Sequence, residues 1–333
     1  VTSAVTGPLS DAPATAAVHQ VGWPRLAAMP TNSSASHLAD EVASQPDLWA
    51  KAARLAPELA DRLPADGSRV AVVGCGTSWF VAQAYASRRE ELGRGETDAF
   101  TATELPPARQ YDAVLLLSRS GTTTEVIRVA EALRGRTPTY AIVATEGTPL
   151  IDLVDHAITL PDMDERSVVQ TRFATSTIAL LRASLGDDLT PAVEQARAVL
   201  VEDESTAVGD LVDAEQITFL GTGWTLGLAH EAALKLREST QSWAESYSAM
   251  EYRHGPISIA TTGRVTWALG QVPDGLADDV ARTGARFEHR DIDPLADLVR
   301  VHRLCLARAA ARALDPDAPR HLTRSVILTT PGS

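Results

Sequence analysis

Residues 69–92 read RVAVVGCGTSWFVAQAYASRREEL, and residues 217–238 read ITFLGTGWTLGLAHEAALKLRE. Each opens on a short apolar run, turns on a G-x-G, and continues with apolar residues at helical spacing, which is the signature of a strand feeding a helix. The two stretches align at a constant offset, so the chain contains an internal duplication. Residues 113–133, AVLLLSRSGTTTEVIRVAEAL, repeat the same plan. TYAIVAT at 139–145 and DHAITL at 155–160 read as further strands, and a helix starts near Phe173 and ends near Leu185. After the second unit come a loop, the strand RVTWAL at 264–269, a short strand around ARFEHRDI, a long helix through 295–313, and the segment PRHLTRSVIL. Alternating strands and helices predict parallel sheets covered on both faces.

Working outward, SHLADEVASQPDLWAKAARLAPELADRL from Ser36 reads as two amphipathic helices separated at Pro46. Residues 190–212 are acidic and helical in pattern and suit a bridge. The expected organisation is a tail over 1–35, a helical preamble and first α/β domain over 36–188, a helical connection over 189–213, and a second α/β domain over 214–333. The tail is rich in Ala, Pro, Ser and Thr and lacks the basic start and long apolar stretch of a secretion signal. Met29 stands directly before the first periodic segment, so the upstream piece is read as a gene-start artefact.

The 333 residues carry 30 basic and 43 acidic side chains, a net charge of −13 that repels nucleic acid and anionic membranes. Any phosphate must therefore be captured locally. No run of eighteen apolar residues is free of charge, so no membrane span is expected. Two cysteines, Cys75 and Cys305, give neither a disulfide framework nor metal-ligand spacing. A cytoplasmic protein without cofactor or metal is the expectation.

Ligands in such sheets sit at the carboxyl ends of the strands. There, Ser118, Ser120, Thr122, Thr123 and Thr124 crowd one strand-to-helix turn around Gly121. Hydroxyls together with free helix N–H groups hold a phosphate monoester without a lysine. Thr122 and Glu125 also match a capping box, which accounts for two of these residues but not for five hydroxyls in seven positions. The GCGTS turn at 74–78 lacks the third glycine of a dinucleotide fold, since position 79 is Trp79. Its Thr77 and Ser78 instead offer hydroxyls to a sugar. Farther on, Glu238 lies on a helix and His254 in the turn just beyond it, a carboxylate and an imidazole suited to proton transfer. Lys235 stands at helical spacing from Glu231 and Glu238 and reads as an ion-pair partner or an orienting group, the structural role being favoured.

GCGTS, SRSGTTTE, the duplicated unit, EAALKLRES and EYRHGP together resemble a sugar isomerase (SIS) domain protein. The similarity runs from about Ser36 to Leu328 and is greatest to the isomerase half of glucosamine-6-phosphate synthase and to stand-alone phosphosugar isomerases and amino-sugar deaminases. The resemblance implies two tandem SIS domains of three-layer αβα form. It further implies phosphate binding by Ser118, Ser120 and Thr123, sugar contacts from Thr77, Ser78, Val168 and Gln170, proton relay between C1 and C2 by Glu238, and ring opening by His254 from a neighbouring subunit of a homodimer. Two departures matter. No glutaminase-type cysteine precedes Cys75, and Arg324 stands where the synthase has an imine-forming lysine. A guanidinium stays protonated and forms imines poorly, though it can hold a substrate oxygen or phosphate. Aldose–ketose isomerisation of a sugar phosphate is the leading expectation. An amino-sugar-phosphate deaminase or deglycase is the second, and a phosphosugar sensor the third, disfavoured because no DNA-binding segment precedes the domain.

Overall fold

Val70–Gly74 and Ala113–Leu117 are buried along their whole length, as strands covered on both faces must be. The structure, a computed structural model, describes residues 36–328, so the expected tail and the reading of Met29 fall outside the described residues. In chain order the elements are α1 (His37–Leu55), β1 (Val70–Gly74), α2 (Thr77–Glu91), β2 (Thr97–Thr101), β3 (Ala113–Leu117), α3 (Thr124–Leu133), β4 (Thr139–Val143), α4 (Pro149–Leu153), β5 (His156–Thr159), α5 (Arg172–Ser184), α6 (Thr190–Val201), α7 (Glu204–Ala207), β6 (Gln216–Gly221), α8 (Thr225–Thr240), β7 (Ala244–Ser248), β8 (Arg264–Leu269), α9 (Leu276–Arg282), β9 (Arg286–Glu288) and α10 (Pro294–Ala311). The strands form two all-parallel sheets of order β2-β1-β3-β4-β5 and β7-β6-β8-β9.

The period of two along each strand sorts the core into layers. Val70, Val72, Leu115, Leu117 and Ile142 face a central core that also holds Ile217, Phe219, Trp267 and Leu269 of the second sheet, filled by residues from α1, α2, α5, α6, α8 and α10. Their neighbours Ala71, Val73, Val114, Leu116, Ala141 and Val143 face an outer core under α3 and α4. Leu220 and Ala268 face a smaller outer core under α9. The two sheets thus back onto one shared layer. Helices α2 and α8, the duplicated pair, meet there at Gly227, where a Cβ would stand 2.5 Å from the Phe80 carbonyl oxygen. Only a hydrogen side chain permits that approach.

One expectation is corrected, and two strands are added. Pro46 does not divide two helices; it lies inside the single helix α1, buried. The Gln45 side-chain amide donates to the Val42 carbonyl at 3.2 Å, the acceptor that proline leaves without an amide partner. Strands β2 (TDAFT) and β7 (AESYS) were not anticipated, since neither is apolar enough to stand out. Both are edge strands, each paired beside the first strand of its unit.

Residues beyond α10 run without regular structure back across the first sheet. There Asp317 accepts from the Ser36 hydroxyl at 2.9 Å and from the His37 and Leu38 amides at 2.8 Å, closing the amino end of α1. Replacing Asp317 by Ala is expected to cost about 1–2 kcal/mol, the usual loss for a missing helix cap, measurable by chemical denaturation.

Candidate active site

In each sheet the first strand is flanked by the next two, so a crevice opens at its carboxyl end where the chain reverses direction across the sheet. In the first sheet, β1 leads through Gly74–Gly76 into Thr77 and Ser78, both buried in the first turn of α2. Beside it, β3 leads into Ser118–Thr123. Ser118 Oγ accepts from the Gly121 amide at 3.2 Å and lies 3.5 Å from Thr123 Oγ1. Ser120 Oγ accepts from the Thr122 amide at 3.2 Å and the Thr122 hydroxyl at 3.0 Å. The expected capping box does not form. Helix α3 starts at Thr124 behind Thr123, with no side-chain cap, and the Thr122 hydroxyl turns to Ser120 and Ser325 instead.

The segment after α10 closes this turn from outside. Ser325 Oγ lies 3.1 Å from Ser120 Oγ and 3.0 Å from Thr122 Oγ1. The Val326 carbonyl accepts from the Thr124 amide at 3.2 Å, taking a free N–H of the helix start. Arg324 is about one-third exposed and reaches the Asp164 carboxylate, the Glu165 carbonyl and the Thr145 hydroxyl. It is therefore anchored and not a loose surface arginine.

From the other side, α8 brings a chain of charges. Thr77 Oγ1 donates to Glu231 Oε1 at 3.5 Å, and Lys235 Nζ lies 3.6 Å from Glu231 Oε1 and 2.5 Å from Glu238 Oε2. Lys235 thus both pairs with Glu231 and orients Glu238. Glu231 and Lys235 are buried, whereas Glu238 keeps partial exposure. Burial works against the Lys235 charge, but Glu231 and Glu238 outweigh it and hold its pKa above the ordinary value. Burial likewise lifts Glu231 to about 7, against the pull of Lys235 and with the repulsion of Glu238.

Sequence reasoning missed Arg119 and Glu165. Arg119 is buried within the hydroxyl-rich turn, 3.5 Å from Glu165, and donates to the carbonyls of Ser167, Val168 and Arg324. Burial lowers the Arg119 pKa and raises that of Glu165, each opposed by the other's charge. A lone arginine inside a serine/threonine run was the available signal. Val168 and Gln170 lie on the loop that Arg119 ties down, and Gln170 Oε1 is buried without a hydrogen-bond partner among the described residues. Glu231 Oε2 is in the same condition. Buried acceptors left open in this way call for donors from a bound molecule or water.

The structure thus joins Thr77, Glu231, Lys235 and Glu238 in one contact chain and Ser118, Ser120 and Thr123 in another, on neighbouring strand ends. His254 does not join them. It is exposed, in a short 3₁₀ turn (Glu251–His254) that follows β7, so a strand intervenes between it and the Glu238 helix. Among the described residues no group of His, Cys, Asp and Glu is placed to hold a metal, and no helix is long and apolar enough to cross a membrane.

Residues 65–185 match the SIS domain family model. The glutamine–fructose-6-phosphate aminotransferase (isomerizing) of Methanothermobacter thermautotrophicus is 27% identical over 309 residues, covering 78% of this chain and 51% of its own length. The chain therefore spans about half of that relative. A candidate D-galactosamine-6-phosphate deaminase, AgaS, of Streptomyces coelicolor is 29% identical, with 87% of this chain and 93% of the relative covered. Among solved structures, glucosamine-6-phosphate deaminase of Thermotoga maritima superposes with a TM-score of 0.74 at 23% identity, covering 88% of this chain and all of that one. Tagatose-6-phosphate ketose/aldose isomerase of Escherichia coli gives 0.72 at 19% identity, over 91% and 99%. At these identities the superpositions show a shared fold.

Glu231 supplies a pH test. Its carboxyl ionises near 4.5 when unfolded and about 7 when folded, so between those values the unfolded chain has shed a proton that the folded one keeps. Its contribution to stability is complete below about 4.5 and falls as pH rises to about 7. The melting temperature of Glu231→Gln relative to the parent should therefore climb across that window and level off above it. A difference that stays flat with pH would contradict the assignment.

Proposed function

We propose that the chain is a phosphosugar enzyme that interconverts an aldose and a ketose phosphate by moving a proton between C1 and C2. The contact chain Thr77–Glu231–Lys235–Glu238 beside the Ser118–Thr123 turn carries this reading. Ser118, Ser120 and Thr123 would hold the phosphate, with Thr77, Ser78, Val168 and Gln170 along the sugar. Glu238, a carboxylate held against the Lys235 ammonium, would take the proton from one carbon and return it to the next, while the hydroxyl proton moves between O1 and O2 across the enediol. Lys235 would keep that carboxylate aimed. The reading extends to two tandem SIS domains, over 36–188 and 214–333 with residues 189–213 between them, and to a cytoplasmic location.

Exposed His254 would serve ring opening in a second copy of the chain, so the working unit would be a homodimer with shared sites. A second reading is favoured by Arg324. With no lysine there to form an imine, a substrate bearing its own nitrogen, an amino-sugar phosphate, would pass through a C2 imine by the same Glu238 and His254, and water adding at C2 would release ammonia and leave the ketose phosphate. The sequence relative named as a deaminase is consistent with it.

In heavy water with hexose and hexosamine 6-phosphates, deuterium should enter C1 or C2. Ammonia release with the hexosamine would select the deaminase. Binding without any exchange would leave only a sensor. Glu238→Gln should reduce exchange by at least about a hundredfold with affinity retained, whereas Ser120→Ala should weaken binding about tenfold or more by removing a hydrogen bond to a charged group. Mixing inactive Glu238→Gln with inactive His254→Ala protein should restore activity through hybrid dimers. No recovery after subunit exchange would place both groups in one subunit.

A further inference from the structure

The duplication builds a second crevice, at the carboxyl ends of β6 and β8, and we infer that it is a separate binding site for a sugar without phosphate. Its turn Gly221–Gly223 corresponds to Gly74–Gly76, and it opens on a cavity of about 790 Å³, ample for a hexose. At the offset that relates the two units, Glu91 on α2 corresponds to Glu238 on α8, and Arg88 to Lys235. Glu91 lies 3.2 Å from Arg88 and so close to Gly223 that a methyl there would collide with its carboxylate. Each duplicated helix thus carries a cation–carboxylate pair, and Glu91 of α2 lines the second crevice.

The lining decides the ligand class. Where the first sheet has Ser118–Thr122, the second has Gly270–Asp274, GQVPD, with no hydroxyl for a phosphate. The two cations in the wall are already committed. Arg182 is held by both oxygens of Asp293 at 3.0 Å and by Asp187 at 2.9 Å, and Arg290 by both oxygens of Glu202 at 2.9 Å. Glu91 and Asp291 are exposed there, and Asp291 has no ion-pair partner among the described residues. A phosphate would meet repulsion, whereas sugar hydroxyls or an ammonium would donate to these carboxylates in charge-assisted bonds. Two more groups suit hydroxyls. Thr222 Oγ1 is buried without a partner among the described residues, and His289, whose Nδ1 can only donate to the Ala268 carbonyl at 3.2 Å, is left with Nε2 as an acceptor in its neutral form. Trp224 adds an indole, steadied by Arg182 at 4.8 Å from its ring, as a flat apolar wall for a sugar ring.

The inference rests on the duplication and this cavity, and not on the catalysis proposed above. Saturation-transfer NMR on the full chain with glucosamine, glucose and glucosamine 6-phosphate tests it. Unphosphorylated glucosamine should give a saturable signal that weakens at least tenfold in the Glu91→Gln/Asp291→Asn double variant, whose altered side chains are exposed and whose fold is checked by circular dichroism. Ser120→Ala should leave that signal intact. The inference falls if neither glucosamine nor glucose saturates, or if their signal survives the double variant and disappears in Ser120→Ala, which would put the sugar in the first crevice.

Discussion

A lysine ammonium with almost no contact with water, Lys235 of α8, sits in the apolar central layer, and the carboxylates beside it keep it charged. Burying such an ion costs several kcal/mol unless carboxylates compensate it. Glu231 and Glu238 do so, one turn away on either side along the same helix. The pairing constrains the rotation of α8 about its axis, because Glu231 must meet both Lys235 and Thr77 of α2. The glycine contact at Gly227 then fixes how closely the two helices approach. Rotation and separation, set by different residues, together fix where Glu231 and Lys235 lie against Thr77.

Duplication explains why each half depends on the other. The helix of one unit furnishes polar groups to the crevice of its partner unit, and the central core draws residues from both sheets. Arg119 and Glu165 repeat the strategy of Lys235 on a smaller scale, a buried cation whose counter-charge and carbonyl partners come from a distant loop. That loop is in turn held by Glu41 of α1, whose carboxylate accepts from the Arg166 amide at 2.6 Å and the Ser167 amide at 3.2 Å.

Strands buried on both faces were legible because their apolar runs are continuous: RVTWAL matches β8 residue for residue, and the turn hydroxyls follow from position after β3. The edge strands TDAFT and AESYS were not, since a strand with a wet face and one free edge need not be apolar. Pro46 misled for a different reason. The rule that proline interrupts a helix assumes an unmet carbonyl, and the neighbouring Gln45 meets it. Least legible was the path of the residues after α10. Nothing in PRHLTRSVIL announces that Ser325 will complete a turn some two hundred positions earlier, because such contacts depend on the tertiary route and not on local pattern.

That route has a bearing on biosynthesis. A chain emerging from the ribosome would expose α1 and the first sheet long before Asp317, Arg324 and Ser325 are available. Until those residues arrive, the leading amides of α1 and the hydroxyls after β3 stay open to water, and the second sheet has yet to cover the shared layer. The first half alone therefore presents an apolar layer without its cover, the kind of surface that invites aggregation, and its crevice gains Arg324 and Ser325 only after the second half has been made.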